Sequence, residues 1–262
     1  MSTLTPQLTT DVADHWIARW DRQQEGYLPD REERFTALVD AVEAGAGRPD
    51  PLILDLGCGP GSLSARLLDR LPEATIVAID TDPLLLALGE AVHAGRDGLR
   101  FVDLDLRTPG WSAALRLDRQ IDAAVSTTAL HWISGPELRT TYAELARLLR
   151  PGGLFLNGDN FSVEDQAPAI ARLDRSLQER ERTRRFAADR PEGWREWWEA
   201  AAADPALASF IAPDAVDAAG SDHNGSESGL LSTHVDALRE SGFAEVGTLW
   251  QRGDNRLLCA VR

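Results

Sequence analysis

Cysteine is scarce in this 262-residue chain: only Cys58 and Cys259, far apart and in no metal-like spacing. That excludes a disulfide framework and a thiolate zinc site, and no metal is expected. Long apolar runs are lacking too, since no stretch approaches the ~18 residues needed to span a bilayer. The first residues, MSTLTPQLTTDVADHW, have neither a basic start nor an apolar core of the signal-peptide kind. A cytoplasmic protein with no membrane partner is expected. Positive charge is in deficit, with 27 Lys+Arg against 42 Asp+Glu and a formal net charge of −15. Such a surface repels phosphate backbones, so nucleic acid is not the expected partner. The one basic run, ERERTRRF (179–186), alternates glutamate with arginine and reads as a solvated helix face.

What is present is a regular alternation. LILDL (52–56), TIVAI (75–79), LRFV (99–102), IDAAVS (121–126) and LFLN (154–157) are short apolar runs bounded by turn residues, the pattern of buried strands. Between them, apolar residues recur at helical spacing, as in Leu63, Leu67 and Leu71, with Asp82 and Pro83 as a cap and first-turn pair. Strands alternating with helices predict an α/β fold, a doubly wound parallel sheet with helices on both faces. FAEVGTLW (243–250) and RLLCAV (256–261), joined by a short turn, predict a terminal antiparallel hairpin. Residues 161–229 break the alternation and read as an inserted helical lid followed by a polar Gly/Ser-rich loop. The expected organisation is an N-terminal helical cap (1–45), a core (46–160), this insertion (161–229), and a helix and hairpin completing the core (230–262).

LDLGCGPG (54–61) follows the first strand. A parallel sheet binds ligands beyond the carboxyl ends of its strands, and glycines there let a ligand approach backbone. In Gly57-Cys58-Gly59-Pro60-Gly61 the third glycine comes one residue too early for the dinucleotide G-x-G-x-x-G loop, and Pro60 removes an N–H that a phosphate would use. Asp55, just before the turn, disfavours a diphosphate and suits an ammonium. Asp80, ending the second strand, has the bidentate geometry for two ribose hydroxyls. Cys58 reads as a small filler rather than a nucleophile.

LDLGCGPG, VAIDTDP (77–83) and LRPGG (149–153), in that order and spacing, resemble successive motifs of the class I S-adenosylmethionine-dependent methyltransferases. The resemblance covers about residues 50–160 and, through the hairpin, 230–262. It implies a Rossmann-like sheet of seven strands, the last antiparallel. It also implies S-adenosyl-L-methionine as cofactor, S-adenosyl-L-homocysteine as product and a small-molecule methyl acceptor through O, N or C. By the same resemblance Asp55, Leu56, Gly57, Cys58, Gly59 and Gly61 hold the methionine moiety. Asp80 takes the ribose with Thr81 beside it, and Asp105 lies near the adenine amino group, a role Asp103 could exchange. Leu106 packs on the ring, and Thr127 and Thr128 contact the cofactor's amino group.

His131 follows the fourth strand, where substrate-facing residues cluster, and an imidazole there is a candidate general base; a core or capping histidine is the plainer reading. His223, in the polar loop, is a second candidate. Trp132 and Trp198 read first as packing, and WREWW (194–198) puts three tryptophans on one helix face. An aromatic wall for a flat or apolar substrate is the sharper reading, and Tyr27 and Trp20 of the N-terminal cap are candidates to close over the cofactor. Two other functions stay open: a non-methylating reaction on the same cofactor, such as cyclisation or hydroxylation, and a binding protein without catalysis.

Overall fold

The computed structural model describes residues 8–211 and 227–262. The apolar runs become the middle of one sheet: β1 (Leu52–Leu56), β2 (Thr75–Asp80), β3 (Leu99–Asp103), β4 (Ile121–Thr127) and β5 (Leu149–Asn160). β6 (Glu245–Arg252) and β7 (Asn255–Val261) form the terminal hairpin. The strand order is β3-β2-β1-β4-β5-β7-β6, with β1 to β5 parallel and β7 antiparallel to both its neighbours. The seven-stranded mixed sheet is therefore the expected one. Its order reverses between β1 and β4, and a crevice opens there beyond the carboxyl ends.

β1 is buried at every position because helices cover both faces. Leu52, Leu54 and Leu56 turn to one layer, where they meet Tyr142 and Leu145 of α5 (Gly135–Leu148) and Ala237 of α8 (Leu231–Glu240). Ile53 turns to the other, among Phe35, Leu38 and Val42 of α2 (Arg31–Ala46) and Leu63 and Leu67 of α3 (Ser62–Arg70). This alternation is the two-residue period of a strand. A third cluster sits at the crevice end: Trp16 and Trp20 of α1 (Thr10–Tyr27) and Leu84 and Leu88 of α4 (Pro83–His93) pack with Trp197 and Trp198 of α7 (Trp194–Ala203). α6 (Pro168–Arg185) precedes α7.

Local signals account for the boundaries. The Asp82 carboxylate accepts the Leu85 N–H at 2.9 Å, capping α4 with Pro83 in its first turn. Ser134 and Glu137 form a capping box on α5. α1 and α2, expected as one cap, divide: α2 lies on the sheet as a layer helix, while α1 joins the crevice-end cluster. β5 is longer than the apolar LFLN run at both ends. Beyond Leu156 it continues because Asn157 to Asn160 pair with Leu258 to Asn255 of β7. Backbone pairing, unlike burial, does not require apolar residues, and the extension carries Asp159 and Asn160 into the crevice wall. No helix of the described residues is long and apolar enough to cross a membrane.

Candidate functional site

The crevice is a cavity of about 1650 Å³. Its floor is the turn after β1. Gly57 (φ +68°) and Gly59 (φ +54°) take left-handed backbone there, and a Cβ on Gly57 would stand 2.3 Å from that of Ala129. Only glycine fits both the torsion and the space. The turn hangs from β2, since the Gly57 and Cys58 N–H groups both donate to the Ile79 carbonyl, at 2.8 and 2.9 Å.

Asp80 stands beside this turn. Its Oδ2 accepts the Gly59 N–H at 2.7 Å, and its Oδ1 accepts those of Thr81 (2.7 Å) and Asp82 (3.0 Å). Burial pushes its pKa up; the three backbone donors oppose that by holding the anion. The carboxylate is thus oriented before any ligand arrives. Thr81, Asp82, Leu104, Leu106 and Ile79 complete this end of the cavity. Asp105 also lines it, but its carboxylate is bidentate to Arg107, with contacts from 2.8 to 3.1 Å, and the pair depresses its pKa. Asp103 does not line the cavity.

Thr127 and Thr128 line the opposite side. Thr128 has φ +51°, a torsion that a β-branched residue seldom adopts, and its N–H donates to the Gly158 carbonyl at 2.9 Å. The Arg34 guanidinium runs beneath, wholly buried, donating to Thr127 Oγ1 (2.7 Å) and Asn255 Oδ1 (2.8 Å). Burial pulls its pKa down to about 10.

His131 follows on a short 3-10 turn, Leu130–Trp132. Its Nδ1 lies 3.0 and 2.9 Å from the two oxygens of Asp159, which is 2% exposed. Burial of the ring works against protonation, but the Asp159 charge and hydrogen bond outweigh it, and the His131 pKa is raised. Burial works against the Asp159 anion as well; His131 and then Arg34 overcome it, and its pKa is lowered. With Nδ1–H donated to Asp159, the neutral ring keeps Nε2 as a proton acceptor.

The far wall is aromatic. Trp20, Tyr27, Trp132, Trp194 and Trp198 all line the cavity. Trp132 and Trp194 stack with centroids 6.3 Å apart, and the Tyr27 hydroxyl accepts the backbone N–H of Trp194 at 2.9 Å. Trp197, at 0% exposure, is core alone, whereas Trp198 serves both core and cavity.

The fold thus brings together Gly57, Cys58, Gly59, Asp80, Thr81, Asp105, Leu106, Thr127, Thr128, His131, Tyr27, Trp132 and Trp198. Three expected residues stay behind the wall. Asp55 is fully buried and accepts the Ser64 hydroxyl at 2.6 Å; burial pushes its pKa up to about 7. Leu56 belongs to the sheet core. Gly61 (φ +84°) precedes α3, where a Cβ would meet the Phe101 ring at 2.8 Å, so it serves packing. Cys58 is buried with its pKa raised, in keeping with a filler. His223 lies outside the described residues. Among the described residues no group of three or more His, Cys, Asp or Glu side chains could hold a metal ion. Asp159, Arg34 and the α6 residues that also line the cavity, Asp174 and Gln178 among them, were not foreseen, and the only available signal was the place of Asp159 after the fifth apolar run.

Comparison with known proteins agrees with this geometry. Residues 53–153 match a methyltransferase domain family. A trans-aconitate 2-methyltransferase of Azoarcus sp. (strain BH72) is 32% identical over 138 residues, 52% of this chain and 48% of that protein. A malonyl-[acyl-carrier protein] O-methyltransferase of Paenibacillus sp. (strain JDR-2) is 33% identical over 106 residues, 40% of this chain and 37% of that protein. The chain thus spans about half the length, or less, of these curated relatives. The solved structure of an O-methyltransferase family protein from Burkholderia thailandensis superposes with a TM-score of 0.52 at 17% identity, covering 100% of this chain and 74% of that one. At that identity the likeness is one of fold. The match to a methyltransferase domain thus covers residues 53–153, the stretch that holds the glycine turn, Asp80, Thr127, Thr128 and His131.

Proposed function

We propose that the protein is an S-adenosylmethionine-dependent methyltransferase of a small organic molecule, with His131 as general base. The observation that carries this reading is one cavity joining the glycine turn and the oriented Asp80 carboxylate to the His131–Asp159 pair and an aromatic wall. At about 1650 Å³ it exceeds the ~300–1,000 Å³ of a single small-molecule site, leaving room for cofactor and acceptor together.

The residues fit the cofactor. Gly57 and Gly59 give it bare backbone, and Asp80 offers two oxygens to ribose hydroxyls. Leu104, Leu106 and Ile79 form an apolar slot for a flat ring. When bound, S-adenosylmethionine supplies a sulfonium methyl for in-line displacement by a nucleophilic atom. The protein's share is alignment, exclusion of water and removal of a proton. His131 Nε2 takes the proton that the acceptor atom loses, while Asp159 holds the ring tautomer and stabilises the imidazolium. This arrangement suits a hydroxyl, an amine or an acidic C–H rather than an ionised carboxylate, which has no proton to lose. The acids named for the two relatives need not be the acceptor here, because the family match ends at residue 153, before α6 and α7.

Calorimetric titration with S-adenosylhomocysteine, with NAD as control ligand and Asp80→Ala alongside, tests the proposal. Saturable binding of the former alone, weakened at least ~30-fold in the variant through loss of a bidentate charged contact, is the expected result. Failure of wild type to bind overturns it.

A further inference from the structure

The cavity has a second charged feature that methyl transfer does not use. On α6, Asp174 faces the cavity at 9% exposure and makes no hydrogen bond or ion pair with any described residue. Asp254, in the β6–β7 turn, lines the same space; its carboxylate accepts the Gln178 side-chain amide and a backbone N–H of its own residue, and among the described residues no cation donates to it directly. Burial, and next the negative charge of Asp174, push the Asp254 pKa up to about 6. Two carboxylates therefore share one wall, neither in a direct ion pair with a described residue, and the charges that oppose the rise at Asp254, those of Arg256 and Arg175, act only at longer range.

The neighbouring cations make their direct contacts elsewhere. Arg175 pairs with Glu164 at 2.9 Å and Arg182 with Glu179 at 3.6 Å. Arg256 donates to the Phe161 carbonyl at 2.9 Å and makes no direct ion pair with Asp254, whose pKa its charge lowers only from a distance. A buried, unpaired carboxylate is costly unless a cation completes it. Two carboxylates do not make a metal site of useful denticity, and the described residues hold no larger cluster. The aromatic wall of the same cavity suits an organic cation, because ring faces attract positive charge.

We propose that the methyl acceptor carries a protonated amine, seated between Asp174 and Asp254 with its organic body against the aromatic wall. The word acceptor rests on the function proposed above; the amine seat rests on the two carboxylates. Both residues follow residue 153, so the seat lies in the part of the chain outside the family match.

Phenethylamine, 2-phenylethanol and 3-phenylpropanoate, titrated into protein saturated with S-adenosylhomocysteine, decide the matter. The amine is expected to bind at least ~10-fold tighter than either counterpart, and Asp174→Asn and Asp254→Asn each to lower that affinity ~10-fold or more. S-adenosylhomocysteine affinity is unchanged in both variants, which shows that they fold. The proposal is overturned if the amine does not bind, if the acid or alcohol binds as tightly, or if amine affinity survives both substitutions. Should wild type not bind S-adenosylhomocysteine, the methyltransferase reading falls, and the same titrations on the free protein judge the amine seat by the same criteria.

Discussion

Asp159 sets the electrostatics of the site, because it is buried, faces His131 through both oxygens and feels Arg34 behind it. Its removal has a predictable sign. The raised His131 pKa means that the ring is still protonated above the ordinary histidine value of 6.5, so the rising limb of kcat/KM lies on the alkaline side of it. Asp159→Asn removes the negative charge that holds the proton, leaving burial to favour the neutral ring. The limb is expected to move to lower pH while the plateau falls ~10²–10⁴-fold, as for a misoriented base. A pH–rate profile of both proteins checks this, and an unmoved limb would show that His131 is not the titrating group. Gly57 carries a second prediction at this scale. Gly57→Ala must hold φ +68° and place a Cβ 2.3 Å from that of Ala129. The expected cost is ~1–3 kcal/mol, together with loss of S-adenosylhomocysteine affinity as the turn shifts; denaturant unfolding and calorimetry measure the two.

At the scale of elements, α7 belongs to the cavity's frame as much as to its lining. Trp197 packs edge-on to Trp16 (5.5 Å) and Trp20 (5.1 Å) of α1 and to Trp198 (5.0 Å), and it is fully buried. Such contacts fix α1 and α7 to each other, so Trp197→Ala is expected to destabilise the fold by ~3–5 kcal/mol. The aromatic wall should loosen with it, weakening acceptor more than cofactor. Urea unfolding with paired titrations reads both, and a stability change under ~1 kcal/mol would mean that the cluster is not a unit. β5 shows the complementary case. Its apolar middle was legible as LFLN, whereas its polar end was not, because that end is a strand by virtue of backbone pairing, with β7 throughout and with β4 at Asn157 and Gly158.

For the whole molecule, the crevice concentrates carboxyl groups whose pKa values are raised by burial: Asp80, Asp82 (about 6) and Asp254 (about 6), with Asp55 (about 7) behind the wall. A carboxyl whose pKa is higher folded than unfolded holds its proton longer in the native state. Stability then falls as pH rises from the unfolded value near 3.8 through the folded value. His131, raised, contributes stability below pH ~6.5 that is lost as pH passes its folded pKa. His93 and His234, lowered by burial, act in the opposite sense. The carboxyls outnumber them, so the thermal midpoint of the ligand-free protein is expected to fall between pH ~5 and ~7.5. A series of melts in constant ionic strength checks this, and a midpoint that climbs over that range would contradict it. The sequence by itself determined the sheet, the glycine turn and the Asp80 position. These depend on residues close along the chain: a strand's apolar period, a turn's need for positive φ, a carboxylate at a strand end. Only the tertiary structure decided that Asp55 and Gly61 stay behind the wall, that Asp159 supports His131 from 28 residues away, and that Arg34 reaches Asn255 across 221. The facing of Asp174 toward Asp254 was decided there too. Such pairs form because packing removes solvent from charges that local spacing never brings together, and burial makes their partners matter.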